Sequence, residues 1–196
     1  MRWTPTSGWQ LALAILTIVS EGLTGVAHGQ TPLRAVIIVR HGEKAPAPKE
    51  NPPLSQAGEA RARALLETLR DAGVTTVITT DQIRTRATAA PLLATLRLRE
   101  TIVPRTEDPH EDAGDIVTAI RRAGGTVLVV SHQLTMPRII AALGGPKVAT
   151  VCDVEFSNLY TLLPRGSSAM QLIRSHYGEP DPARVEDCHI TPISPP

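Results

Sequence analysis

A chain of 196 residues with 42% apolar and 20% charged residues is long enough for one domain with its own core and has the composition of an ordinary globular protein. Its formal net charge of +1 speaks against the basic surface of a nucleic-acid-binding protein, so no nucleic-acid partner is expected. Aromatic residues, at 3%, are too few for a stacking platform, and the core must rest on Leu, Ile, Val and Ala.

Residues 1–29 read as a signal peptide. Arg2 is a weak positive n-region, Leu11 to Val19 a short apolar stretch, and Ala27-His28-Gly29 before Gln30 a small-residue cleavage site. The apolar run is short for a membrane span; an uncleaved anchor is the alternative reading. Cleavage implies a periplasmic or secreted protein with no stable membrane association afterwards. No cysteine follows the apolar run to carry a lipid. In an oxidising compartment Cys152 and Cys188 are candidates for one disulfide, and two buried free thiols are the alternative. The mature domain is expected over 30–180, with a Pro-rich tail over 181–196 trailing across the surface.

The first predicted strand, Val36 to Val39, is four consecutive β-branched residues, the signature of a strand buried on both faces inside a parallel sheet. It ends in Arg40-His41-Gly42-Glu43-Lys44. Residues 45–53 hold four prolines and form a loop. Ser55 caps a helix that runs to about Asp71, with Ala62, Leu65, Leu66 and Leu69 on its inner face and Arg61, Arg63, Glu67 and Arg70 over the rest. Val74 to Thr79 is a second strand and Ile83 to Leu96 a second helix, with Ala87, Ala90, Leu93 and Ala94 inward. Thr101 to Val103 is a third strand, and Asp115 to Ala123 a third helix closed by Gly124-Gly125. Thr126 to Val130 is another buried strand, followed by Ser131-His132-Gln133 and a helix over Met136 to Leu143 with Pro137 in its first turn. Phe156 to Leu163 and Leu172 to Tyr177 are later strands, paired antiparallel at one edge. The alternation predicts an α/β fold of three layers: a mostly parallel central sheet with helices on both faces.

In such a sheet the carboxyl ends of the parallel strands share one rim, which is where ligands bind. Arg40 and His41 leave the first strand there, Arg84 opens the helix after the second, and His132 leaves the fourth. Two arginines and two histidines thereby surround a volume the size of a phosphate, with helix N-termini facing it. Gly42 lets the backbone turn and approach a ligand closely.

These residues resemble the histidine phosphatase superfamily, the phosphoglycerate-mutase-like group. Arg40-His41-Gly42 is similar to its nucleophile motif and Leu54-Ser55-Gln56-Ala57-Gly58 to its first-helix motif. Arg84-Thr85-Arg86-Ala87-Thr88-Ala89 is similar to its second-arginine motif, and Val129-Val130-Ser131-His132 to its second-histidine motif. The resemblance covers about Ala35 to Gly145 and implies a metal-independent phosphomonoesterase without a cofactor. His41 would form a phosphohistidine, Arg40, Arg84 and His132 would hold the phosphoryl oxygens, and Gly42 and Gln133 would add contacts to the phosphate. The family's acid comes either from the segment after the third strand or from the residue after the second histidine. That residue is Gln133 here, so the stretch from Glu107 to Asp112 supplies the candidates, Glu111 first and Glu107 next. Some small members manage without an obvious acid.

Lys44 could bind an anionic substrate or be a surface lysine, and Arg86 could touch substrate or be a solvated helix charge. No insertion between Arg84 and His132 is long enough for a lid, so the pocket should be open, which disfavours a mutase. The expected partner is a small phosphorylated molecule. The alternatives are a phosphohistidine phosphatase acting on protein, which a signal peptide argues against, and a non-catalytic module that binds phosphorylated or sulfated ligands.

Overall fold

The computed structural model describes residues 31–166 and 169–182. The expected signal peptide, Cys188 and nearly all of the expected tail lie outside the described residues. Ten elements follow in order: β1 (Leu33–Arg40), α1 (Gln56–Leu69), β2 (Thr76–Thr80), α2 (Ile83–Leu96), β3 (Arg99–Val103), α3 (Pro109–Ala123), β4 (Gly125–Ser131), α4 (Met136–Ala142), β5 (Asn158–Arg165) and β6 (Ala169–His176). The sheet order is β3-β2-β4-β1-β5-β6. The pairs β3–β2, β2–β4 and β4–β1 are parallel, while β5 and β6 are antiparallel and form one edge.

The β-branched run explains how the sheet is buried on both sides. Strand side chains alternate between faces. Val36 and Ile38, with Val127 and Val129 of β4, join the core made with Ile116, Ile120, Met136 and Ile140 of α3 and α4. Ile37 and Val39, with Leu128 and Val130, join the opposite core made with Leu65, Leu69, Ala89 and Leu92 of α1 and α2. Each fully buried aliphatic side chain contributes roughly 1.5–3 kcal/mol, which is how a chain with little aromatic content holds two cores.

Three expectations are corrected here. α3 begins at Pro109, not Asp115: the Asp108 carboxylate accepts from His110 N at 2.8 Å, Pro109 fills the first turn, and Glu111 and Asp112 suit the positive end of the helix. The inner face of α2 is Thr85, Thr88, Ala89 and Leu92, while Ala90 and Ala94 are exposed. Its two threonines can be buried because both are hydrogen-bonded, Thr85 to the Thr80 and Gln82 carbonyls and Thr88 to the Arg84 carbonyl. Arg61 is buried within α1, where its guanidinium pairs with Glu43 at 2.6 Å and donates to the Tyr177 carbonyl.

Candidate functional site

The register of the sheet sets the site. Arg40 lies opposite Ser131, and His41 N donates to the Ser131 carbonyl at 3.0 Å, so β1 and β4 end side by side. The rings of His41 and His132 then meet edge to face with centroids 5.4 Å apart. A cavity of about 220 Å³ opens over this rim, lined among others by Arg40, His41, Lys44, Arg84, Arg105, Asp112 and His132. All four parallel strands deliver side chains to it at their carboxyl ends.

His41 is 4% exposed, and its Nδ1 lies 2.8 Å from the carbonyl of Gly42. A carbonyl can only accept, so Nδ1 carries the hydrogen and Nε2 keeps its lone pair. Burial, and then the neighbouring Arg40 guanidinium, hold the ring pKa well below the usual histidine value. The ring is therefore neutral and in one tautomer before any ligand arrives.

The two expected arginines lie in the same cavity. One guanidinium nitrogen of Arg40, Nη1, donates to the carbonyls of Cys152, Asp153 and Glu155 at 2.9, 2.8 and 3.1 Å. Its guanidinium carbon sits 4.0 Å above the Phe156 ring. Burial lowers its pKa to about 10, so it stays a cation at neutral pH. Arg84 donates from Nη1 to the Gln82 side chain at 3.1 Å, and burial followed by the nearby Arg105 lowers its pKa. Both Nε atoms are buried without a partner among the described residues. Two arginines with spare donors and no contacting carboxylate fit a site for a tetrahedral anion.

His132 is held by Thr80, whose Oγ1 lies 3.1 Å from Nε2; that oxygen also lies 2.9 Å from Thr85 Oγ1. With the Thr80 hydroxyl donating to Nε2, a neutral His132 carries its hydrogen on Nδ1 and can offer it to an anion. Burial, then Arg84, lowers the His132 pKa to about 3.

Of the remaining expected residues, Glu111 and Gly42 are not among those lining the cavity, while Gln133 is. Glu111 is exposed and is not among the cavity residues; the neighbouring Asp112 is, at 1% exposure. One residue of helix turns a side chain by about 100°, so the early start of α3 decides which acid faces inward. Asp112 Oδ2 accepts from Thr135 Oγ1 at 2.9 Å, its Oδ1 is buried with no close hydrogen bond among the described residues, and burial raises its pKa. Gly42 turns its N–H to Thr88 Oγ1 at 2.8 Å, away from the cavity; its smallness serves the contact with Gly58, whose carbonyl oxygen would lie 2.9 Å from a Cβ at residue 42. Gln133 lines the cavity, but its amide is bonded to the Asp153 carboxylate. Arg86 pairs with Glu100 at 3.3 Å on the outer surface.

Sequence reasoning missed Arg105, Thr80 and Phe156, and within the candidate stretch from Glu107 to Asp112 it placed Glu111 and Glu107 ahead of Asp112. The signals for Asp112 were present in the cap of α3. Arg105 could have been found by its position two residues after β3, on the same rim as the other strand ends. Among the described residues no cluster of three or more His, Cys, Asp or Glu could hold a metal ion, and no helix is long and apolar enough to cross a membrane.

A model of the histidine phosphatase superfamily (branch 1) matches residues 36–110, which includes the end of β1 and all of α1 and α2. Comparison with curated proteins finds no match. The fold is similar to that of a mycobacterial glucosyl-3-phosphoglycerate phosphatase, at 14% identity and a TM-score of 0.56 over 74% of this chain and 98% of that one. It is also similar to the protein histidine phosphatase SixA complexed with tungstate, at 18% identity and a TM-score of 0.55 over 72% of this chain and 96% of that one. A structure named mycobacterial hydrolase 1 aligns at 15% identity and a TM-score of 0.57, covering 71% of this chain and 96% of the other. These likenesses establish the α/β, phosphoglycerate-mutase-like fold.

Proposed function

We propose that this chain is a histidine phosphatase, a phosphomonoesterase that works through a phosphohistidine on His41. The observation that carries the reading is the neutral His41, fixed by Gly42 with Nε2 unprotonated, in a cavity it shares with Arg40, Arg84 and His132. The family model over residues 36–110 supports it, as do structural neighbours named as phosphatases, one of them with tungstate bound.

In the first step the Nε2 lone pair attacks phosphorus and the ester P–O bond breaks, its electrons leaving on the ester oxygen. Asp112, whose pKa burial raises, gives that oxygen its proton when it is in its protonated form. Arg40, Arg84 and His132 Nδ1–H meet the phosphoryl oxygens with donors already in place, and losing one such donor costs about 2.7–4 kcal/mol in the barrier. In the second step water attacks the phosphohistidine, the Asp112 carboxylate takes its proton, and Nε2 leaves with its lone pair restored. The arginines supply the positive charge, so activity is expected to survive a chelator.

Exposed Lys44 and Arg105 at the cavity mouth favour a small, anionic phosphorylated substrate. The fold likeness to SixA favours a second reading, hydrolysis of phosphohistidine on a protein, for which an open mouth suits. The signal-peptide reading of residues 1–29 supports a periplasmic or secreted enzyme, and sequencing the mature N-terminus, expected at Gln30, tests it.

The decisive experiment is phosphate release from para-nitrophenyl phosphate by the wild type and His41→Ala, with and without chelator, beside a phosphohistidine peptide. Chelator-resistant activity that vanishes in the variant supports the reading, and activity that survives His41→Ala sinks it.

A further inference from the structure

Arg40 is aimed by backbone. Its Nη1 sits among the carbonyls of Cys152, Asp153 and Glu155, and Phe156 lies flat beneath the guanidinium. Neutral acceptors and an aromatic face orient the cation without neutralising it, so its charge remains for an anion in the cavity. The cradle works only if the loop over 152–156 is itself held.

Within the loop the Glu155 carboxylate accepts from Cys152 N at 2.8 Å and Asp153 accepts from Gln133; the far end of the loop is held by Asp181, the first residue of the expected surface tail. Its Oδ1 accepts from Phe156 N at 2.7 Å and Ser157 N at 3.0 Å, and its Oδ2 accepts from Ser157 Oγ at 2.6 Å. The carboxylate is 14% exposed and lies 4.0 Å from Arg61, which in turn pairs with Glu43, three residues past Arg40. A carboxylate gripping two successive N–H groups and a hydroxyl is a strong, directional clamp. It bears on the two residues that follow the last cradle carbonyl.

We propose that Asp181 is a positioning residue for the phosphate site, pinning Phe156 and Ser157 and through them the cradle that aims Arg40. The inference rests on the reading of Arg40 as a phosphate ligand, given above. It places part of the phosphate site's support in the C-terminal segment, beyond every motif around the cavity.

The test is a pair of double-mutant cycles read as the Kd for tungstate by calorimetry, a measurement that needs no turnover. Asp181→Asn is made in wild-type, Arg40→Lys and Arg84→Gln backgrounds. The expected result is weakening of tungstate binding by about tenfold in the wild type and in Arg84→Gln, and by less than about twofold in Arg40→Lys, because residues acting through one another are not additive. A merely structural role would weaken binding by the same factor in both arginine backgrounds, and that outcome overturns the proposal. So does an Asp181→Asn protein that binds tungstate as the wild type does. If Asp181→Asn does not fold, Ser157→Ala, which removes one of the clamp's donors, takes its place in the same cycles, and the same two results overturn the proposal. A wild type that binds no tungstate overturns the phosphate-site reading together with this one, whereas a wild type that binds it without an Asp181 effect overturns this one alone.

Discussion

At the scale of single residues, the site is a set of ionisable groups whose burial sets their charge. His41 and His132 are both kept neutral by desolvation beside cations, whereas Asp112 is pushed toward its protonated form. A neutral nucleophile above a depressed histidine pKa and a protonated acid below a raised carboxylate pKa overlap on the acid side, which predicts an acid optimum. Replacing Asp112 with Asn should lower kcat for an alkyl phosphate by about 10²-fold, much less for para-nitrophenyl phosphate, whose leaving group hardly needs the proton, and should remove the alkaline limb of the pH profile. An unchanged limb would return the acid role to another group. His132 also predicts a stability effect. Its pKa is 6.5 when unfolded and about 3 when folded, so the unfolded chain binds more protons between those values. Its contribution is complete above pH 6.5 and is lost as pH falls toward 3; between pH 6.5 and 5 it amounts to about 2 kcal/mol. Urea midpoints at those two pH values should differ less in His132→Gln than in the wild type.

At the scale of elements, the turn after β1 and the N-terminus of α1 are locked together by two glycines. A Cβ at Gly58 would stand 2.2 Å from the Glu43 carbonyl oxygen, which already accepts from Ser55 N, and a Cβ at Gly42 would stand 2.9 Å from the Gly58 carbonyl. Both obstacles are backbone and cannot swing aside. Gly58→Ala should therefore cost about 1–3 kcal/mol in chemical denaturation and lower phosphatase activity as well, because the displaced strand end carries His41. A variant as stable and active as the wild type would show that α1 can shift without cost. The two hydrogen-bonded threonines of α2 belong to the same joint: Thr88 accepts from Gly42 N, and Thr85 sits against Thr80, which holds His132. That helix turns its two threonines to Gly42 and Thr80, beneath the site, and Ala89 and Leu92 to the core.

At the scale of the whole molecule, one sheet rim gathers the cations Arg40, Arg84 and Arg105 beside the neutral His41 and His132, and an anion bound among them would offset the repulsion between the arginines. Oxyanion binding should therefore be coupled to global stability. Tungstate at 100 times its Kd should stabilise the fold by about 2.7 kcal/mol, visible as a raised Tm, and the shift should disappear in Arg84→Ala. A shift retained in that variant would mean that the anion binds elsewhere on the surface.

Much of this molecule was legible in order of sequence. The β-branched runs at Val36 and Thr126 announced buried parallel strands, Ser55 announced the start of α1, and four motif residues pointed to one rim, because strand burial and helix capping are local and leave their marks at short spacing. The start of α3 was written in Asp108 and Pro109 but hidden behind an acidic stretch that reads equally well as a solvated loop. Other features belong to the tertiary structure alone. That Arg61 is buried against Glu43, that Gln133 turns to Asp153, and that Asp181 reaches Ser157 are contacts between residues 18, 20 and 24 positions apart. No periodicity encodes such contacts, because a polar side chain carries no sign of its partner until the chain has folded around both.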